Sequence, residues 1–318
     1  MNIRTNLFHP LRAISKSITA SEQILQKRIN IIQDQIDNYR RAIVCDRLKH
    51  TVLTSDDVGI TSKPICNHEV VVSLTTYRER IHEVYLTIES IMQGTLKPNR
   101  IILWLAKDEF GGKELPIVLQ RQLKRGLEVR YCEDIRSYKK IIPTLSLCPD
   151  SCIVTIDDDA IYEPDLLEHL IESYKNNPEC VSACRIHRIK TDKNGMPLPY
   201  RQWDMLQHND TPSHYNYLTS GGGTIFPPYS LYNQVVDRNS FMALCPNGDD
   251  IWLNAMLVLN GVKVAKAFTH NINGEDFIFN ENPYVESLWT QNQNDNGNDP
   301  QIKAVWEKYG LFTIFKNK

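Results

Sequence analysis

Residues 151–162, reading Ser-Cys-Ile-Val-Thr-Ile-Asp-Asp-Asp-Ala-Ile-Tyr, constrain the fold more than any other stretch of this chain. The run Ile153, Val154, Thr155, Ile156 is β-branched and almost wholly apolar, as in a short strand buried on both faces. It ends in three consecutive carboxylates, Asp157, Asp158 and Asp159. Unpaired ionised groups cost too much to desolvate for three of them to lie in a core. They therefore belong at the strand's carboxyl end, where an open α/β sheet holds its ligands. Adjacent carboxylates repel one another unless a cation lies among them, and oxygen-only donors suit Mg²⁺ or Mn²⁺. A solvated acidic turn is the plain alternative. The strand before the triplet and the helix opening at Glu163-Pro164-Asp165 favour the metal site.

The surrounding sequence alternates in the same style. Apolar runs at 70–74, 101–105, 129–132, 152–157 and 181–184 read as strands, and helical patterns fall at about 81–92, 115–125 and up to about 174. Strands separated by helices of this length predict an α/β chain with a largely parallel sheet and right-handed crossovers. Residues 186–219 carry no clear period and read as substrate-contacting loops.

The net charge of −2 leaves no basic stripe for nucleic acid. No run of about 18 apolar residues spans a membrane, and the start lacks the apolar core of a signal peptide. Eight cysteines without a CxxC pair suit free thiols in a reducing, cytoplasmic setting. Cys180 and Cys184 lack nearby His or Cys partners at zinc-site spacing.

The first fifty residues differ. Leu25, Ile29, Ile32, Ile36, Tyr39 and Ile43 recur at alternating steps of four and three, an a/d seam. It either pairs with a second copy, making a homo-oligomer through 25–43, or packs on the catalytic domain. Arg4, Arg12 and Lys16 among Ile3, Leu7, Phe8, Leu11 and Ile14 suggest a membrane-surface segment or a disordered start. Residues 51–67 read as a linker. The expected organisation is an N-terminal helical extension with linker at 1–67, a catalytic domain at 68–280, and a C-terminal segment packing on it at 281–318.

Five further stretches carry chemistry-bearing residues. Thr75, Thr76, Tyr77 and Arg78, with Arg80, follow the first strand, able to bond a base and ribose and to offer cations to phosphate. A polar strand-to-helix turn is the competing reading. Lys139 and Lys140 precede the acidic strand; they either neutralise a diphosphate or are solvated. Ser220-Gly221-Gly222-Gly223 lets backbone approach a ligand, but lacks both the Walker lysine and the GxGxxG spacing. Asp249 and Asp250 open an apolar helix, either as catalytic carboxylates or as an N-cap. His270 ends an apolar run and reads as a metal ligand or as a structural histidine.

In this order and spacing the set resembles GT-A-type glycosyltransferases, within them the family-2-like bacterial enzymes that build surface polysaccharides. The resemblance covers residues 69–275. It implies a Rossmann-like, mostly parallel sheet flanked by helices, bearing an N-terminal helical extension. It implies a nucleotide-sugar donor, UDP-linked in our reading, a glycan or lipid-linked acceptor, a Mn²⁺ or Mg²⁺ cofactor, and an inverting reaction at the inner membrane face. Position by position, Asp157 falls on the ribose or the metal shell, Asp159 on the metal, and Asp158 on the variable middle position beside the donor. Thr75, Tyr77 and Arg78 fall where the base is held, and Asp250, or else Asp249, where the catalytic base stands. His270 falls near a late metal ligand. The second strand ends Leu105-Ala106-Lys107-Asp108 instead of Asp-Asp-Gly-Ser, leaving Asp108 as a base contact. A sugar nucleotidyltransferase, which would carry glycine after the first strand, and an inactive glycosyltransferase-like assembly module are the rival readings.

Overall fold

In a computed structural model the described residues are 8–208, 211–271, 276–279 and 297–316, with side chains described from residue 21 onward. Residues 3–7 of the expected membrane-surface segment and residues 281–296 of the expected C-terminal segment lie outside them. The chain divides into two compact units, residues 1–50 and 51–318. Helix α1 runs Phe8–Thr54, well beyond the seam at both ends. Seam residues Leu25, Ile29, Ile32, Ile36, Tyr39 and Ile43 are 48–73% exposed. No helix among the described residues is long and apolar enough to cross a membrane. All eight cysteines are free thiols.

The larger unit is a mostly parallel sheet flanked by helices. Its strands in chain order begin β1 (Val70–Thr75), β2 (Arg100–Ala106), β3 (Leu127–Cys132) and β4 (Cys152–Thr155). The short β5 (Ala160–Tyr162), β6 (Val181–Ala183), β7 (Ile186–Arg188), β8 (Asn216–Leu218), β9 (Thr224–Phe226), β10 (Val264–Lys266) and β11 (Phe277–Phe279) follow. The central order is β10-β6-β9-β4-β1-β2-β3, with β9 alone antiparallel to its neighbours; β5 pairs β11 and β7 pairs β8 in two small antiparallel ribbons. The β-branched runs became the central strands because each is covered on both faces. Val70, Val72 and Leu74 join one core, Val71 packs with Ile102 and Trp104 on the other side, and all are buried.

Three helices cover one face: α2 (Val84–Met92), α4 (Ile117–Lys124) and α6 (Leu166–Asn176), with the short α3 (Lys107–Phe110) following β2. The second core gathers α7 (Arg238–Leu244), α8 (Asp249–Leu259) and the C-terminal helix Asn298–Tyr309, while the short α5 (Ile142–Leu147) precedes β4. Gly126 ends the α4 region at φ +109, where a side chain would also meet Ile60. The expected linker at 51–67 is fastened to the larger unit. Arg125 Nε donates to the Asp57 carbonyl at 2.7 Å, and the amides of Gly59 and Thr61 donate to the carbonyls of Arg125 and Pro98 at 2.8 and 2.9 Å. The same Arg125 makes a bidentate pair with Glu89 at 2.8 and 2.9 Å, both side chains buried.

Strand order reverses between β1 and β4, the position where open α/β sheets bind ligands. Their register, Val70 opposite Cys152 and Ser73 opposite Thr155, brings the Thr75–Arg80 turn level with the acidic triplet. Because β9 runs antiparallel, with Thr224 opposite both Thr155 and Ala183, its amino end meets the carboxyl ends of β4 and β6. The glycine segment therefore arrives at the same mouth.

Candidate active site

The chain leaves β4 through buried Ile156, and the three aspartates then diverge. Asp158 turns inward. Its carboxylate accepts from Thr76 Oγ1 at 2.6 Å and Arg80 Nη1 at 2.8 Å, while its carbonyl accepts from Thr87 Oγ1 at 3.0 Å. Burial pushes its pKa up to about 6, with Arg80 opposing. Its carboxylate is thus committed to Thr76 and Arg80. Asp157 and Asp159 keep 40% and 28% of their side chains exposed. Arg80 Nη1 also donates to Asp159 Oδ2 at 2.9 Å, so Arg80, expected as a cation for phosphate, neutralises two of the three acids.

The Asp157 amide donates to the Tyr162 hydroxyl at 2.9 Å, and that hydroxyl donates to the Gly221 carbonyl at 2.7 Å. A Cβ at position 221 would lie 2.1 Å from Asp157 Oδ2. Glycine at 221 lets the Asp157 carboxylate occupy the space a side chain would take.

The 3₁₀ turn Arg136–Lys140 joins this cluster to α8. Lys140 is buried, and its Nζ lies 2.8 Å from Asp157 Oδ1 and 2.9 Å from Asp249 Oδ2. The second contact is an ion pair by distance whose angle falls short of a hydrogen bond. Burial alone would discharge this amine; Asp157, Asp249 and Asp250 outweigh it and hold Lys140 protonated, its pKa well above the ordinary value. The residues around it anchor the turn. Ser137 Oγ donates to Asp249 Oδ1 at 2.9 Å, and the Tyr138 hydroxyl donates to the Cys245 carbonyl at 2.7 Å while its ring stacks on Phe241. Lys139 is buried and paired with Asp134. Neither lysine is a solvated one.

Asp249 and Asp250 stand in the first turn of α8, whose N-cap is Gly248. Neither caps its own helix. Asp250 Oδ1 accepts from the Ser220 amide at 3.0 Å and from the Ser220 hydroxyl. Burial and then neighbouring Asp249 push the Asp250 pKa up to about 6, against the pull of Lys140 and Ser220.

On the other side of the switch point, Thr75 Oγ1 donates to the Trp104 carbonyl at 2.8 Å. The Tyr77 ring lies 5.2 Å from the Arg80 guanidinium. Arg78 is exposed, with φ +47 and its amide on Glu109. Asp108 is exposed on α3, past the neighbouring strand end. His270 goes elsewhere: its Nε2 lies 2.7 Å from Asp165 Oδ2, and its ring packs against His169. Lys140 thus ties Asp157 to Asp249 and Arg80 ties Asp158 to Asp159, the two pairs joined by the backbone of the triplet, while Asp250 is held separately by Ser220. His270 is gathered with a different acid.

Asp157 and Asp159 fit a divalent cation. Both are partly exposed, they offer only oxygens, and Asp159 is held above the ordinary carboxyl range by burial and then by the charge of Asp157. Ser137, Thr76, Tyr162 and Ser220 are contacts that sequence reasoning missed as partners of the acids. Serine and threonine are too common in turns to be singled out. His169 had a legible signal, four residues after Asp165 and so on the same helix face.

Residues 144–241 match the family model described as glycosyl transferase family 2. That segment contains the acidic triplet and the glycine run, and stops short of Asp249 and Asp250. A glucosyl-dolichyl phosphate glucuronosyltransferase from Haloferax volcanii is 27% identical over 122 residues, 36% of this chain and 36% of that protein. The match thus spans about a third of that curated relative. A mannosyltransferase from Pyrobaculum calidifontis, solved in complex with GDP-mannose and Mn²⁺, superposes with a TM-score of 0.39 at 12% identity, covering 73% of this chain and 63% of that one. The family-2 match and the Haloferax match each cover about a third of this chain, and both are likenesses to glycosyltransferases.

Proposed function

From a family-2 glycosyltransferase segment set in a mostly parallel α/β sheet, we propose a divalent-metal-dependent, inverting glycosyltransferase. It moves a sugar from a nucleotide-sugar, UDP-linked in this reading, to a hydroxyl of a glycan or lipid-linked acceptor in surface-polysaccharide synthesis. One observation carries the reading. Asp157 from the end of β4 and Asp249 from the start of α8 converge on the buried amine of Lys140. That convergence supports reading the two acidic groups, some 90 residues apart in sequence, as the donor-binding and catalytic parts of one site.

Asp159 and Asp157 would hold the ion, which when bound supplies charge stabilisation to the departing diphosphate. Thr75, Tyr77 and Arg78, with Asp108 at the adjacent strand end, receive the nucleoside. Lys140, saturated by carboxylates, orients Asp157 and Asp249 instead of meeting phosphate. Asp250, held by Ser220, accepts the acceptor's hydroxyl proton as that oxygen attacks the anomeric carbon from the face opposite the diphosphate. A single displacement of this kind inverts the centre. With a pKa near 6, Asp250 is ionised at neutral pH and more basic than an ordinary carboxylate. The Haloferax relative is named for a glucosyl-dolichyl phosphate, which favours a lipid-linked acceptor.

The test is a panel of UDP-, GDP-, dTDP- and CMP-sugars with Mn²⁺ or Mg²⁺, following nucleotide release with and without EDTA. Chelator-sensitive release from one donor supports the reading. Release that EDTA leaves untouched removes the metal, and no release or binding across the panel removes the donor class.

A further inference from the structure

We propose that Asp165, His169 and His270 form a second metal site, selective for a transition ion of the Zn²⁺ class and separate from the donor-binding acids. The proposal stands independently of the transferase reading. Asp165 is the N-cap residue of α6, and His169 lies one turn on, facing the same way. His270 comes from the chain beyond β10, about a hundred residues later. One ligand atom from each lies within 4.8 Å of the others. His270 Nε2 stands 2.7 Å, and His169 Nε2 3.8 Å, from the same Asp165 Oδ2, and the two rings meet edge to face at 5.1 Å.

Two features of Asp165 separate this cluster from an ordinary surface ion pair. Its carboxylate does not cap its own helix, although it occupies the N-cap position. Its Oδ1 is buried with no hydrogen-bond partner among the described residues. The other oxygen, Oδ2, is the one beside the two imidazole nitrogens, and a cation held there would bring the whole carboxylate a partner that the two histidines alone leave incomplete.

The donor set chooses the metal. Two imidazoles and one carboxylate suit Zn²⁺, Co²⁺ or Ni²⁺, whereas Mg²⁺ takes oxygens. Zn²⁺ bonds of about 2.0–2.2 Å at a tetrahedral centre put ligand atoms about 3.3 Å apart, between the two distances observed. Supporting contacts are in place. The amides of His270 and Asn271 donate to buried Asp276 at 2.5 and 2.6 Å, and Phe268 lies edge-on to His169 at 4.8 Å. Three protein ligands leave a fourth position open, and the ion would clasp the segment after β10 onto α6.

Titration of the full-length, metal-stripped protein with Zn²⁺ in excess Mg²⁺, followed by calorimetry, tests this directly. We expect one equivalent bound, weakened at least tenfold in His169→Gln and in His270→Gln, and unchanged in Asp159→Ala. Co²⁺ in place of Zn²⁺ should give the visible absorption of a four-coordinate nitrogen and oxygen site in the parent and lose it in both histidine variants. Circular dichroism establishes that the variants are folded. No Zn²⁺ binding in the parent, or binding that both histidine variants retain, overturns the site.

Discussion

Lys140 Nζ lies 2.8 Å from Asp157 Oδ1, and its second carboxylate contact, at 2.9 Å, is Asp249 of a distant helix. A buried amine shared in this way fixes the distance between the end of β4 and the start of α8.

Lys140→Met removes the cation facing both carboxylates and leaves them uncompensated, Asp249 mostly buried and Asp157 40% exposed. The loss of stability should be about 1–3 kcal/mol. Displacement of Asp157 should lower kcat/KM by about 10²-fold. Denaturant midpoints and steady-state rates on the same preparation check both. A variant with parental stability and rate would mean that the bridge orients nothing.

Asp250 must be ionised to accept a proton, and its pKa is raised to about 6 by burial and by Asp249. Activity should therefore be level above about pH 7 and fall as pH drops through 6, approaching a tenfold loss per pH unit. Asp250→Asn should abolish that limb and lower kcat by about 10²–10⁴-fold while donor affinity stays within twofold. A profile that still falls through pH 6 in the Asn variant's residual activity would assign the base elsewhere.

Gly221→Ala places a methyl group 2.1 Å from the Asp157 carboxylate. The carboxylate can swing aside, so stability should change by only about 0.5 kcal/mol. The swing breaks the contact with Lys140, and kcat/KM should fall about 10²-fold. Thermal melts paired with rates decide it; a large stability loss would show that the strand itself had moved.

The exposed seam on α1 is proposed to pair with a second copy. Ile32→Asp combined with Ile36→Asp should convert a dimer to a monomer in light scattering of the full chain. A monomeric parent protein would contradict the pairing.

Legibility in the sequence followed how local each signal was. The parallel strands could be read because burial on both faces demands uninterrupted runs such as Val70–Leu74 and Ile101–Leu105, and the acids could be placed because such a run cannot contain them. The antiparallel direction of β9 was not legible, since Thr-Ile-Phe reads alike in either orientation. Arg80 was expected at phosphate and instead holds Asp158 and Asp159, a pairing that depends on the β1–β4 register. His270 was expected as a late metal ligand. Its partners Asp165 and His169 are set by where the chain travels after β10, which no local pattern encodes. Residues 51–67 looked like linker because their polar composition conceals backbone bonds to Arg125 and Pro98.

Calorimetry of nucleotide-sugar binding and assay of sugar transfer, both with and without Mn²⁺, on the parent, Asp159→Ala and Asp250→Asn, separate the metal-holding acid from the base. We expect metal-dependent binding in the parent and in Asp250→Asn, transfer at the full rate in the parent alone, and neither in Asp159→Ala. Full activity in Asp159→Ala, or loss of donor binding in Asp250→Asn equal to that in Asp159→Ala, would contradict it.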